Sequence, residues 1–99
     1  MLNVSEYFRW TRSAHKTLES AERDMRDGDY NWSCFKVHQA AEKAIKAVLW
    51  GVGKPKTGHS LVHLLQHLAD ELRVGVPEEV KEACIVLSKF YIPTRYPDV

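Results

Sequence analysis

The sequence predicts an all-α protein: an up-down bundle of four helices forming a single domain over residues 1–99. Three observations predict it. Apolar residues recur at intervals of three and four in four separate stretches. No segment alternates apolar and polar residues in the manner of a strand. The stretches are separated by breaks rich in glycine or proline, short enough to fold the helices back on one another.

The first helix is expected from about Ser5 to Arg26. Val4, Tyr7, Thr11, Ala14, Leu18, Ala21 and Met25 fall in one stripe at helical spacing. Ser5 is the expected N-cap, and Gly28, within Asp27-Gly28-Asp29, supplies the left-handed residue that closes the helix. The second helix is expected from Tyr30 to Trp50, stopped by Gly51 and Gly53. Cys34, Val37, Ala41, Ala44, Ile45 and Val48 share one arc of it. Opposite lie Gln39, Glu42, Lys43 and Lys46, bordered by Trp32, Phe35 and Trp50.

Residues 51–58, GVGKPKTG, form an exposed loop. They match neither the phosphate-binding GxxxxGK[ST] pattern nor GxGxxG. The third helix is expected from about Ser60 to Arg73, with Leu61, Leu64, Leu65, Leu68 and Leu72 inward and Ser60 or His59 at its start. The fourth is expected from Pro77 to about Ile92. Proline suits a first helical position, and Glu78 and Glu79 complement the positive end of the dipole. Val80, Ala83, Cys84, Leu87 and Tyr91 line one face of it, and Pro93 ends it.

The totals exclude several function classes. Fourteen basic and thirteen acidic side chains leave a net charge of +1, so there is no overall basic field of the kind that marks a general DNA binder. No run of apolar residues is long enough to span a membrane, and the N-terminus lacks the pattern of a signal peptide. Cys34 and Cys84, both on apolar helix faces, suit free thiols in a reducing cytoplasm better than a disulfide scaffold. The expected location is cytoplasmic. Nothing in the sequence calls for a cofactor.

Four groups of residues carry chemistry worth weighing. His59, His63 and His67 lie four apart, a spacing at which two can share a metal. Three in succession span more than about 10 Å of helix, so the better reading is a polar outer face and no metal site. Arg9 and His15 match a loose Arg-x4–6-His ribonuclease pattern, yet a regular helix turns them about 120° apart. The Gln39, Glu42, Lys43, Lys46 stripe is open to two readings. One is a solvated face with a Glu42–Lys46 pair worth a few tenths of a kcal/mol; the other is a dimer contact or ligand groove, which the bordering aromatics favour. Near the C-terminus, Arg95 beside Tyr96 suits contacts to a phosphate and a base. The competing role for Arg95 is a tether to Asp98 or Glu42.

Three segments together, FKVHQAAEKAIKAVLW at 35–50, GHSLVHLL at 58–65 and FYIPTRYPDV at 90–99, make the chain resemble a HEPN domain, named for higher eukaryotes and prokaryotes nucleotide-binding. The resemblance covers the whole chain and points to the small prokaryotic branch. It implies a helical bundle that forms a homodimer and a module that binds nucleotide or RNA. It also implies a toxin-type subunit paired with a minimal nucleotidyltransferase. Some members are metal-independent ribonucleases that use an Arg and a His; others only bind. Arg95 in TRYPD falls where the family's functional arginine lies, and His59 matches the histidine before the third helix. Gln39, Glu42 and Lys43 match the polar face of the second helix. In that setting Glu42 orients Arg95, Lys43 and Lys46 reach phosphate, and Trp32 or Tyr96 stacks on a base.

This sequence departs from the family pattern in two ways. No histidine follows Arg95, so the ribonuclease pair is incomplete. The chain also stops at Val99, where relatives usually continue, so the bundle is expected to lack a final helix or to be truncated before it. Three functions are therefore carried forward: a nucleotide- or RNA-binding module, a metal-independent ribonuclease, and a non-catalytic helical dimerisation adaptor.

Overall fold

The computed structural model describes residues 2–89, which form four helices and no strand. They are α1 (Val4–Arg26), α2 (Tyr30–Gly51), α3 (Leu61–Leu72) and α4 (Glu78–Ser88). The predicted helical-bundle architecture is correct. The parts of the fourth stretch beyond residue 89, Tyr91 among them, lie outside the described residues.

α1 begins one residue earlier than expected, and its cap is Asn3 instead of Ser5. The Asn3 backbone is non-helical, and its side-chain Oδ1 accepts a hydrogen bond from the Glu6 N–H at 3.2 Å. That bond satisfies one of the N–H groups left free in the first turn. Ser5 is already inside the helix and donates its hydroxyl to the same oxygen at 3.4 Å. At the other end Gly28 has φ +83°, the left-handed conformation expected of it. The Asp29 N–H then reaches back to the Asp24 carbonyl at 2.8 Å. Arg23 and Arg26 occupy the last turn, where the helix dipole favours cations.

α1 and α2 run antiparallel and are joined along their whole length. At the turn end, buried Ser33 donates to the Ala21 carbonyl at 2.8 Å. Lys36 bridges Asp24 at 2.7 Å and Ser20 at 2.8 Å. Further along the pair, Lys43 donates to Thr17 Oγ1 at 2.9 Å. At the open end, the Asn3 N–H bonds the Gly51 carbonyl at 3.0 Å. Gly51 is there because the helices approach closely: a Cβ at that position would sit 3.3 Å from Tyr7. Ala14 and Ala21 are buried at the crossing, where small side chains let the backbones come together.

The main core lies on the other side of α2. Ile45, Leu49, Leu61, Leu64 and Cys84 form it, with Ala41, Leu65, Leu68 and Leu87 packed around them. It is therefore built by α2, α3 and α4, and α1 is attached to this unit through α2. Of the two residues expected at the start of α3, Ser60 is the cap, its Oγ accepting from the His63 N–H at 3.3 Å. α3 stops one residue short of expectation, because Arg73 takes the left-handed conformation at φ +54°. Pro77 is the N-cap of α4, one position before the first helical residue it was expected to be. Both thiols are free, and burial pushes the Cys84 thiol up from its ordinary value.

Burial departs from the predicted faces in one informative way. The apolar arcs place Ala44, Leu72 and Val80 inside, and all three are exposed. The charged stripe places Glu42 and Lys46 outside, and both are buried. The cause is that α2 has neighbours on more than one side. Its charged face is closed by α1 and by the start of α3. The flank carrying Val37, Ala44 and Val48 forms one wall of an open groove, with Tyr7 and Leu18 of α1 forming the other.

Candidate functional site

The charged residues of α2 converge with the 51–60 loop at the end of the molecule where α1 begins. Glu42 is the centre. Its carboxylate accepts from Lys46 Nζ at 3.0 Å, one helical turn along α2. The same carboxylate meets Nδ1 of His59, at 3.1 Å to one oxygen and 3.2 Å to the other. Glu42 and Lys46 have side chains only 11% and 10% exposed, whereas His59 is 61% exposed. A buried carboxylate therefore holds one cation inside and one imidazole at the surface.

This placement follows from local sequence. Glu42 and Lys46 are i and i+4 on a helix, which stacks their side chains on one face. Gly58 (φ +111°) turns the loop immediately before His59, and Ser60 starts α3. His59 is thus delivered to the face of α2 by the connection itself.

α1 contributes the aromatic part, and Trp10 is the residue that sequence reasoning missed. Its indole Nε1 donates to Glu6 at 3.1 Å. The Arg9 guanidinium lies 5.3 Å from the ring centre and Lys46 Nζ lies 5.9 Å from it, both within cation–π range. Arg9 also bridges Glu6 at 2.7 Å, and this bond holds the Glu6 carboxyl below its ordinary range. A chain of contacts thus runs from exposed Arg9 through Glu6, Trp10, Lys46 and Glu42 to exposed His59. The signal available in the sequence was the i, i+4 relation of Glu6 to Trp10, which aims both at one side of α1.

His38 lies one turn before Glu42 and is 1% exposed. Its removal from water lowers its pKa below the ordinary value; Glu42 opposes the shift and His59 adds to it. His38 is therefore a neutral imidazole facing the same cluster.

The remaining predicted residues are distributed as follows. Gln39 and Lys43 are half-buried on the same side of α2, with Lys43 turned to Thr17. Trp32 is 48% exposed and packs edge-to-face on Phe35 at the opposite end of α2, about 15 Å along the helix from Glu42 at 1.5 Å per residue. Arg95 and Tyr96 lie outside the described residues. His63 is exposed, and His67 approaches Glu71 at 4.0 Å. Among the described residues no group of histidine, cysteine and acidic side chains is arranged to hold a metal. Arg9 is bound to Glu6 while His15 lines the α1/α2 groove, so these two do not form a pair.

Chemically, the site offers exposed Arg9 over the Trp10 indole and exposed His59 on the Glu42 carboxylate, the two linked through Lys46. Such groups suit an anion attached to a flat ring. Among the described residues no helix is long and apolar enough to cross a membrane.

Comparison with known proteins gives the following. The profile of the HEPN domain family matches residues 7–99. The crystal structure of TT1696 from Thermus thermophilus superposes with a TM-score of 0.84 at 43% sequence identity. The match covers 93% of this chain and 71% of that one. No match to a curated protein was found.

Proposed function

The chain belongs to the HEPN family, which supports a nucleotide- or RNA-related module in general, and from that premise we propose that it binds the phosphate and base of a nucleotide or RNA at the Glu42 cluster. The observation that carries this reading is the exposed His59 imidazole held by buried Glu42, which also anchors Lys46 beside the Trp10 ring. In this reading His59 and Arg9 meet the phosphate, Lys46 supplies positive potential from beneath, and Trp10 offers a ring edge or face to the base. Gln39 and Lys43 border the contact; Arg95 and Tyr96, which lie outside the described residues, are the further residues proposed for phosphate and base.

The proposal extends to context. The protein acts in the cytoplasm as a homodimer and as the toxin-type subunit of a pair with a minimal nucleotidyltransferase. HEPN domains commonly dimerise, which supports the first part. Two alternatives remain distinct by experiment: metal-independent RNA cleavage, which an exposed, carboxylate-oriented histidine favours, and a purely non-catalytic dimerisation adaptor.

The test is calorimetric titration of the wild type, His59→Ala and Arg95→Ala with adenine nucleotides and a short single-stranded RNA. Each substitution should weaken binding about 10-fold or more, the usual worth of a hydrogen bond to a charged group, with unchanged helix content. Wild-type affinity in both variants overturns the assignment. Incubating the same proteins with RNA in chelator separates the readings: cleavage lost in His59→Ala marks the ribonuclease, while absence of both binding and cleavage leaves the adaptor.

A further inference from the structure

Nδ1 of His59 lies 3.1 Å from one oxygen of the Glu42 carboxylate and 3.2 Å from the other. The same carboxylate is 11% exposed and is bridged to Lys46 at 3.0 Å. A carboxylate paired with an ammonium is ionised, and an ionised carboxylate only accepts hydrogen bonds. The proton between the two groups therefore belongs to Nδ1. In a neutral imidazole the second nitrogen, Nε2, then carries no proton and is an acceptor. The His59 side chain is 61% exposed. With Nδ1 held against Glu42, a group arriving from solvent meets Nε2. Phosphate oxygens also accept, so Nε2 bonds one only as an N–H donor, and that requires the imidazolium. Arg9 needs no such change, because a guanidinium is always charged.

We infer that Glu42 is a positioning residue that fixes the tautomer of His59, so that phosphate binding at this site takes up a proton onto His59 Nε2. The inference rests on the nucleotide- or RNA-binding reading above and adds to it how pH regulates the site. The sign follows from charge. Below the titration of the imidazole, Nε2–H donates to the phosphate and the cation attracts it. Above it, the Nε2 lone pair faces the phosphate and repels it, while Arg9 still attracts. Affinity therefore falls as pH rises and does not vanish. The titratable and charged groups around His59 are Glu42, Lys46 and buried His38 of α2, and exposed Lys54 and Lys56 of its own connection. Exposed His63 lies one turn along α3, and Arg9 and Glu6 of α1 join the cluster through Trp10. Of these side-chain types only imidazole ordinarily titrates near neutrality. His38 and His63 are therefore the competitors to exclude, and every variant below retains both.

Two measurements test this. Long-range proton–nitrogen correlation NMR at about pH 8, where an ordinary histidine is neutral, should find the His59 proton on Nδ1; a proton on Nε2 overturns the tautomer and the inference. Calorimetric titration with a short oligoadenylate with hydroxyl ends, whose phosphodiesters do not titrate near neutrality, is then run in buffers of different ionisation enthalpy. The wild type should take up protons on binding. Its affinity should fall about 10-fold between about pH 6 and pH 8.5, the worth of one hydrogen bond to a charged group. His59→Gln sets an uncharged N–H donor near the Nε2 position, so its affinity should not vary with pH and its binding should take up no proton. His59→Asn, whose amide ends near the Nδ1 position, should bind more weakly than His59→Gln throughout. Glu42→Gln, whose amide can donate to Nδ1 as well as accept, should flatten the pH profile. If circular dichroism shows that variant unfolded, His59→Gln, altered at an exposed position, carries the same test. Wild-type binding without proton uptake, or an undiminished pH slope in His59→Gln, overturns the inference and leaves the binding site standing. No binding by the wild type at any pH overturns the nucleotide- or RNA-binding reading and this inference with it.

Discussion

Replacing Glu42 with glutamine should be among the most costly single changes in the molecule. The carboxylate is 11% exposed and neutralises Lys46, itself 10% exposed, at 3.0 Å. Removing one partner of a buried pair leaves the other charge uncompensated, which costs about 3–5 kcal/mol. Two features moderate this. Both side chains retain slight contact with water, and the Trp10 ring 5.9 Å from Lys46 Nζ returns about 0.5–1 kcal/mol. The expected loss is therefore about 3 kcal/mol, which at about 4–8 °C per kcal/mol for a domain of this size lowers the melting temperature by about 12–24 °C. Lys46→Met should cost less, about 1–2 kcal/mol, because the Glu42 carboxylate keeps its contact with exposed His59. The double variant Glu42→Gln/Lys46→Met should be about 2 kcal/mol more stable than the sum of the single losses predicts, since neither charge is then left alone. The assay is thermal and urea unfolding followed by helical circular dichroism, at one fixed protein concentration so that association does not enter. A loss below about 0.5 kcal/mol for Glu42→Gln, in the range of an ordinary surface pair, or strict additivity in the double variant, refutes the argument.

The remaining predictions concern a helix cap and a buried imidazole. Asn3→Ala should destabilise by about 1 kcal/mol, the usual worth of an N-cap side chain, while Ser5→Ala should stay within about 0.5 kcal/mol; thermal unfolding of both variants reads the difference, and the reverse order would make Ser5 the cap. His38 has a folded pKa below the ordinary 6.5, with Glu42 and His59 facing it. The unfolded chain therefore binds a proton that the folded chain does not, between the lowered folded value and 6.5, so stability rises with pH through that window and is lost as pH falls below 6.5. Urea midpoints across pH 5–8 should show this slope in the wild type and a shallower one in His38→Gln; equal slopes would dismiss His38 as its source.

Helix number among the described residues, most helix limits within a residue or two, and the closing role of Gly28 were legible in the sequence, because apolar spacing and capping depend on neighbours within a turn or so; α4, expected to run to about Ile92, has Ser88 as its last helical residue. The residues of the Glu42 cluster could be named from helical spacing and from the family resemblance. What the sequence could not supply was their environment. The Glu42–Lys46 pair reads as a surface contact of a few tenths of a kcal/mol; burial by α1 and the His59 turn raises its consequence severalfold. Trp10 escaped notice because its partner Lys46 is thirty-six positions away, and only the antiparallel crossing of α1 over α2 brings them together.

The division between the two sources of information follows from range. Periodicity, turn chemistry and charge balance are local or additive properties, and from them the sequence determined an all-helical chain with α2 carrying one apolar and one charged face. Which of those faces is closed depends on where helices distant in sequence come to lie, and tertiary packing decided it against expectation. Glu42 and Lys46 of the charged face are buried, and the apolar flank at Val37, Ala44 and Val48 lines an open groove. A helix with neighbours on two sides can bury ions wherever they neutralise one another, and so hydrophobicity alone did not determine which side faced water.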